Sequence, residues 1–96
     1  MKGIKMQNET YANGQKKAEL VDHYMTHYFN DGTVKAEGPY EKNQMQGEWK
    51  FYRKTGQLWQ VGNFKNDMKH GSWVRYDKED ELEYSETFKD NKIVKK

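Results

Sequence analysis

The chain has 96 residues, a third of them hydrophobic and a third charged, with 17 basic against 15 acidic side chains. That length suits one domain and gives little apolar mass for a deep two-layer core, while a net charge of +2 predicts no whole-protein pull toward nucleic acid or anionic membranes. The absence of cysteine excludes a disulfide framework and a thiolate metal site, and no apolar run reaches the length of a membrane span.

Met1–Glu9 carries charge but no apolar stretch of the secretory kind. The expected location is therefore cytoplasmic, or undetermined if a leader has been removed. Tyr11-Ala12-Asn13-Gly14-Gln15 reads as a hairpin turn. Leu20–Phe29 reads as one long strand with Leu20, Tyr24 and Tyr28 on one face. Lys16–Met25 is the only window where Ala18, Leu20, Val21 and Met25 also allow a helix.

From Tyr28 onward the chain keeps an interval of 24 residues. Tyr28, Tyr52 and Tyr76 follow it, as do Val34, Leu58 and Leu82, then Tyr40, Phe64 and Phe88. Gly32 pairs with Gly56, Gly38 with Gly62, Gly47 with Gly71, and Trp49 with Trp73. Repeats of this length build stacked, quasi-linear architectures whose units touch only their neighbours. Two full units are expected at 28–51 and 52–75, a degenerate third at 76–96, and an atypical capping segment at 1–27, all in one domain.

Within a unit, Val34, Ala36, Gly38 and Tyr40 alternate with Lys35, Glu37, Pro39 and Glu41, which predicts a half-buried strand. The later copies place Leu58, Gln60, Gly62 and Phe64, then Leu82, Tyr84, Glu86 and Phe88, on the same face. A second strand runs through Gly47–Arg53 and again through Gly71–Asp77, with Trp49 and Phe51 on one face and Tyr52 on the other. Asn30-Asp31-Gly32 and Lys54-Thr55-Gly56 read as hairpin loops, and Asn43-Gln44, Asn66-Asp67 and Asp90-Asn91 as the turns on the opposite edge. Pro39 lies in a strand, so it should sit at a bulge or sheet edge. Tyr40 and Phe64 are expected to cover the facing Gly47 and Gly71. The whole predicts an all-β fold: a single antiparallel meander of about 7–8 strands, spanning roughly 35–40 Å at ~4.8 Å per strand, twisted and built from 24-residue hairpin repeats.

The unit of a tyrosine, a turn glycine, Leu-x-x-x-Gly-x-aromatic and then Gly-x-Trp-x-x-Tyr resembles the bacterial variant of the MORN (membrane occupation and recognition nexus) repeat. The stretches Tyr28–Tyr52 and Tyr52–Tyr76 carry the resemblance, with a partial copy running to Ile93. Two departures stand out: Asn43-Gln44 and Asn66-Asp67 replace an Asn-Gly turn, and Asp80 and Glu86 replace the third copy's glycines. The resemblance implies a binding or assembly module. One branch of the family is of the YwqK antitoxin type, and eukaryotic members are linked to scaffolding and lipid association. It implies no catalytic residues.

The side chains themselves offer little chemistry. His23 and His27 would lie ~13 Å apart on one strand, too far for a shared ion, and His70 reads as isolated in a turn. Asp22, His23 and Ser72 or Ser85 lack a nucleophile elbow and an oxyanion motif. Asp77, Glu79, Asp80, Glu81 and Glu83 crowd one turn, but a calcium loop would need glycine where Leu82 stands and glutamate where Phe88 stands. They read as a solvated tip or a patch for a basic partner. The Lys95–Lys96 end is basic, yet no polybasic cluster marks an anionic lipid surface.

The expectation is thus a non-enzymatic protein-binding module with no catalytic, cofactor or metal residue and no small-molecule substrate. Its partner is a protein, a toxin if the antitoxin resemblance holds, or another copy of the chain. The partner-facing residues expected from aromatic and basic character are Trp49, Tyr52, Arg53, Trp59, Trp73, Arg75 and Tyr76. Rings beside cations also hold single-stranded nucleic acid on sheets, but the 24-residue recurrence favours packing as their role. Trp59 recurs in no other copy.

Overall fold

The computed structural model describes residues 9–95. Most of the charged start, Met1–Asn8, and Lys96 of the basic end lie outside them. The described residues contain no helix. Their strands are β1 (Ala18–Val21), β2 (Tyr24–Tyr28), β3 (Val34–Glu41), β4 (Gln44–Met45), β5 (Gly47–Tyr52), β6 (Leu58–Lys65), β7 (Met68–Tyr76), β8 (Leu82–Lys89) and β9 (Lys92–Ile93). All pairings are antiparallel, in the order β1-β2-β3-β5-β6-β7-β8-β9, with β4 pairing the end of β3. The expected all-β meander is the observed fold. Its dimensions are 45 × 33 × 19 Å, thicker than one flat sheet because the strands twist.

Two kinds of turn alternate along the meander. On one edge, two consecutive residues with positive φ close each hairpin: Asp22-His23, Lys42-Asn43, Asn66-Asp67 and Asp90-Asn91. Their twist matches that of the strands, and Asn and Asp tolerate this backbone region. On the other edge, five-residue loops run over 11–15, 29–33, 53–57 and 77–81. In each, the first N–H donates to the last carbonyl at 2.8 Å. The fourth residue has positive φ: Gly14, Gly32, Gly56 and, in the last loop, Asp80 at 65°.

Two corrections concern these turns. The long strand expected over Leu20–Phe29 is broken by the Asp22-His23 turn, so His23 lies in a turn and not on a strand with His27. The turn expected at Asn43-Gln44 sits one residue earlier, at Lys42-Asn43. The first unit is short. Gly14 precedes Gly32, and Ala18 precedes Ala36, by 18 residues instead of 24, while Met25 still precedes Trp49 by 24.

Register explains the core. Ala18, His27, Ala36, Phe51, Gln60, Arg75 and Tyr84 form one cross-strand row on a single face. The neighbouring row holds Leu20, Met25 and Gly38, then Trp49, Gly62, Trp73 and Glu86. Trp49 lies across Gly38 and Trp73 across Gly62, so closely that a Cβ on either glycine would collide with the indole. The glycine-covering rings are therefore Trp49 and Trp73, not Tyr40 and Phe64. Gly47 instead meets Pro39, and Gly71 meets Asn63, each at 3.4 Å from a built Cβ. The indole N–H groups donate to the Pro39 and Asn63 carbonyls at 2.8 Å. Pro39 stands opposite the break between β4 and β5, as its missing donor requires.

The rings interlock along the sheet. Phe64 meets Trp49 and Trp73 edge-on, with centroids 6.2 and 5.2 Å away. Phe88 meets Trp73 at 6.2 Å, and Phe51 stacks on Trp73 at 6.1 Å. Such pairs contribute about 0.5–1.5 kcal/mol each beyond their buried area. They let one sheet bury Trp49 to 1% exposure without a second layer.

The opposite face carries Tyr28, Tyr52 and Tyr76. The Tyr28 hydroxyl donates to Glu19 at 2.9 Å and the Tyr52 hydroxyl to Glu37 at 2.5 Å. Tyr28 pairs with Val34, Tyr52 with Leu58 and Tyr76 with Leu82, each beyond a register shift. Val34, Leu58 and Leu82 thus share the tyrosine face and not that of Ala36 and Gly38. Strict alternation assigned them wrongly because it does not register a bulge.

Candidate functional site: an arginine–tryptophan cluster at a bulge

Three of the four register shifts, each just after a five-residue loop, leave one residue without a cross-strand partner. In β3 this is Lys35, in β6 Trp59 and in β8 Glu83. A bulge releases a side chain from the pleat and re-aims it, so this position can vary without disturbing the ladder. The three repeats fill it with a cation, an indole and a carboxylate.

Trp59 lies beside two guanidinium groups. The Arg53 Cζ is 5.9 Å from the indole centroid and the Arg75 Cζ is 5.7 Å away. Arg75 also covers the Tyr84 ring at 4.7 Å. Arg53 is anchored by an Nη2 donation to the Tyr76 carbonyl at 3.0 Å, and Arg75 by an Nε donation to Gln60 Oε1 at 3.1 Å. The Arg53 Nε is buried without a partner. Among the described residues, an ion pair joins Lys16 to Glu19, His70 faces Asp90, and neither guanidinium meets a carboxylate.

The structure therefore divides the candidates. Arg53, Trp59 and Arg75 come together. Trp49 and Trp73, 1% and 3% exposed, belong to the core, and a partner seated on the sheet would not reach their rings. Tyr52 is engaged by Glu37. Tyr76 lies with Leu58, Gln57 and Asp80 around a shallow hollow, and Leu82 beside it is 61% exposed. Gln60 and Tyr84 complete the cluster but were not singled out, because only the bulged register brings them beside Arg75.

The histidines are dispersed. His27 packs on Trp49 at 6.0 Å, and burial, aided by Lys35, pushes its pKa below the ordinary imidazole value. His70 lies on β7 facing Asp90 at 4.0 Å, and not in a turn as expected. No group of three His, Cys, Asp or Glu residues converges to hold a metal among the described residues. In the acidic loop, Asp77 accepts the N–H groups of Glu79 and Glu81 at 2.9 and 3.0 Å, while Asp80 accepts from Gln57. Glu79, Glu81 and Glu83 remain exposed.

The Tyr52–Glu37 pair predicts an alkaline limit to stability. Burial, the Glu37 hydrogen bond and the Glu37 charge push the phenol up to about 12, from about 10 in an unfolded chain. A raised folded value means the contribution is complete below pH ~10 and disappears as pH climbs toward ~12. Melting temperature measured from pH 9 to 12 should fall more steeply in the wild type than in Tyr52→Phe. Parallel curves would refute the linkage.

Neither the curated proteins nor the solved structures contain a match to the chain. The family model of the MORN repeat variant matches three times, over residues 24–42, 45–66 and 69–90. These segments cover more than half of the chain, and each spans two neighbouring strands joined by a five-residue loop. By this match the chain belongs to the family of the MORN repeat variant.

Proposed function

We propose that this protein is a non-enzymatic module that binds another protein through its sheet, in the manner of an antitoxin or immunity protein that masks a toxin. The observation behind this reading is the cluster of Arg53, Trp59 and Arg75, held in place by Tyr76 and Gln60 yet without a carboxylate of its own. Association with binding or scaffold roles is general for MORN repeats and agrees with it. The site offers no nucleophile, and the role needs neither cofactor nor small-molecule substrate. A cytoplasmic location suits it. Affinity capture from the native host with the full chain should return one protein in stoichiometric amount. Capture of none under several salt conditions would overturn the reading.

A scaffold that self-associates is the second reading. Its support is the apolar exposure near the sheet edges: Val21 in β1, Leu82 in β8 and Ile93 in β9. Among the described residues, the outer edge of β8 is covered only over Thr87, Phe88 and Lys89, and open edges recruit strands. Sedimentation should then show concentration-dependent oligomers, and a monomer at millimolar concentration rejects it.

A further inference from the structure

We propose that the Arg53–Trp59–Arg75 cluster is a receptor for discrete carboxylate side chains of a protein partner. The proposal rests on the protein-binding reading above and names the chemistry of the surface it uses.

Three observations lead to it. First, both guanidiniums are pre-positioned. Each lies beside the Trp59 indole, and each spends one donor on a fixed internal acceptor, the Tyr76 carbonyl or Gln60 Oε1. Ordering a free arginine would cost side-chain entropy, and here that ordering is already complete. The buried Arg53 Nε is out of reach, and the Nη groups left over present the planar fork that carboxylates match. Second, no carboxylate of the described residues occupies that fork, although Glu79, Glu81 and Glu83 lie exposed on the adjoining loop and strand. Third, Trp59 stands at the bulge, where the other units place Lys35 and Glu83. The repeat's packing does not require an indole there.

The surroundings choose among anions. On β8, Glu83 is exposed and Glu86 half-buried, and Glu86 follows Tyr84 on the same face. A nucleic acid brings a continuous line of phosphates, which these carboxylates would repel along the strand. A protein surface can present one or two carboxylates to the arginines and a neutral or basic group to Glu86. Charge complementarity therefore favours an acidic polypeptide over a single strand.

The test uses the full chain and, as the probe, poly-L-glutamate interrupted by glycine and serine so that its carboxylates are discrete, with oligo(dT) and inorganic phosphate in parallel arms. Side-chain nitrogen resonances of tryptophan and arginine are followed by NMR. The Trp59 indole and the Arg53 and Arg75 guanidinium signals should move saturably with poly-L-glutamate. The Trp49 and Trp73 indoles, bonded to the Pro39 and Asn63 carbonyls, should stay in place. Arg75→Gln should weaken binding about ten-fold, and Arg75→Lys should restore only part, since the ammonium lacks the fork. Salt should weaken every step. Shifts spread over the lysines with Trp59 unmoved would overturn the proposal. Tighter binding of oligo(dT) through the same resonances would replace it with a nucleic-acid site, and phosphate binding as tight as poly-L-glutamate would reduce it to a general anion site. Arg75→Gln is then carried into the host capture experiment. A partner retained at wild-type yield leaves the protein-binding reading standing and removes this cluster from it, whereas absence of any partner for the wild type removes the reading itself.

Discussion

Gly62→Ala should cost about 3 kcal/mol, at the upper end for overpacking in a core. The methyl group would enter the space held by the Trp73 indole. That ring cannot retreat easily. Its N–H is bonded to the Asn63 carbonyl, while Phe51, Phe64 and Phe88 flank it. Urea unfolding should place the midpoint well below the wild type, and a thermal melt should fall by roughly 15 °C for a domain of this size. Gly38→Ala should behave alike beneath Trp49.

The controls separate collision from backbone preference. Gly56 has φ 97° and open space around a built Cβ, so Gly56→Ala should cost about 1–2 kcal/mol from the left-handed backbone alone. Glu86 occupies the row position of Gly62 but has no following tryptophan over it. Glu86→Gly should therefore change stability by less than about 1 kcal/mol. A double-mutant cycle gives the sharpest reading. Once Trp73 is leucine, adding Gly62→Ala should cost far less than it does alone. Additive costs would mean that the methyl–indole collision is not the cause.

The same residues show what the sequence could disclose. The 24-residue interval gives the hairpins, the aromatic face and the place of the wide loops though not their length, because Gly32, Gly56, Trp49 and Trp73 each occupy a position that the backbone or a neighbouring ring constrains. It does not give the bulges. A period of two, read across Val34–Tyr40, has no symbol for an unpaired residue, so Val34 was assigned to the wrong face and Trp59 could not be placed beside Arg75. The first unit was obscured for a related reason. Its hairpin is short, so Leu20 stands where Gly38 stands in the next unit. Leucine is tolerated there because its neighbour is Met25 and not an indole. The cluster was legible only as residue types: two arginines and a tryptophan that breaks the period. Their meeting depends on register, which pairs residues from strands far apart in the sequence. Identity of a partner lies further still, in a surface that the repeat does not encode.

Trp49→Ala and Trp59→Ala should therefore have opposite consequences. Trp49 is 1% exposed and touches His27, Phe51 and Phe64, rings from three different strands. Truncating a buried aromatic leaves both a transfer loss and a cavity, about 3–5 kcal/mol together. In a domain whose stability is of order 5–15 kcal/mol, that loss should abolish a cooperative melt or bring it near room temperature. A single sheet makes the damage worse, since no second layer can settle into the gap. Trp59 sits at the bulge with two guanidiniums beside it, where cation–π contacts are worth about 0.5–1 kcal/mol each if exposed. Trp59→Ala should keep a cooperative melt, within about 2 kcal/mol of the wild type, while removing the response to poly-L-glutamate. Circular dichroism melts and the titration together decide the matter. If Trp59→Ala unfolds as Trp49→Ala does, the indole at the bulge is a core residue, and the division between period-keeping residues that hold the sheet and period-breaking residues that meet a partner fails.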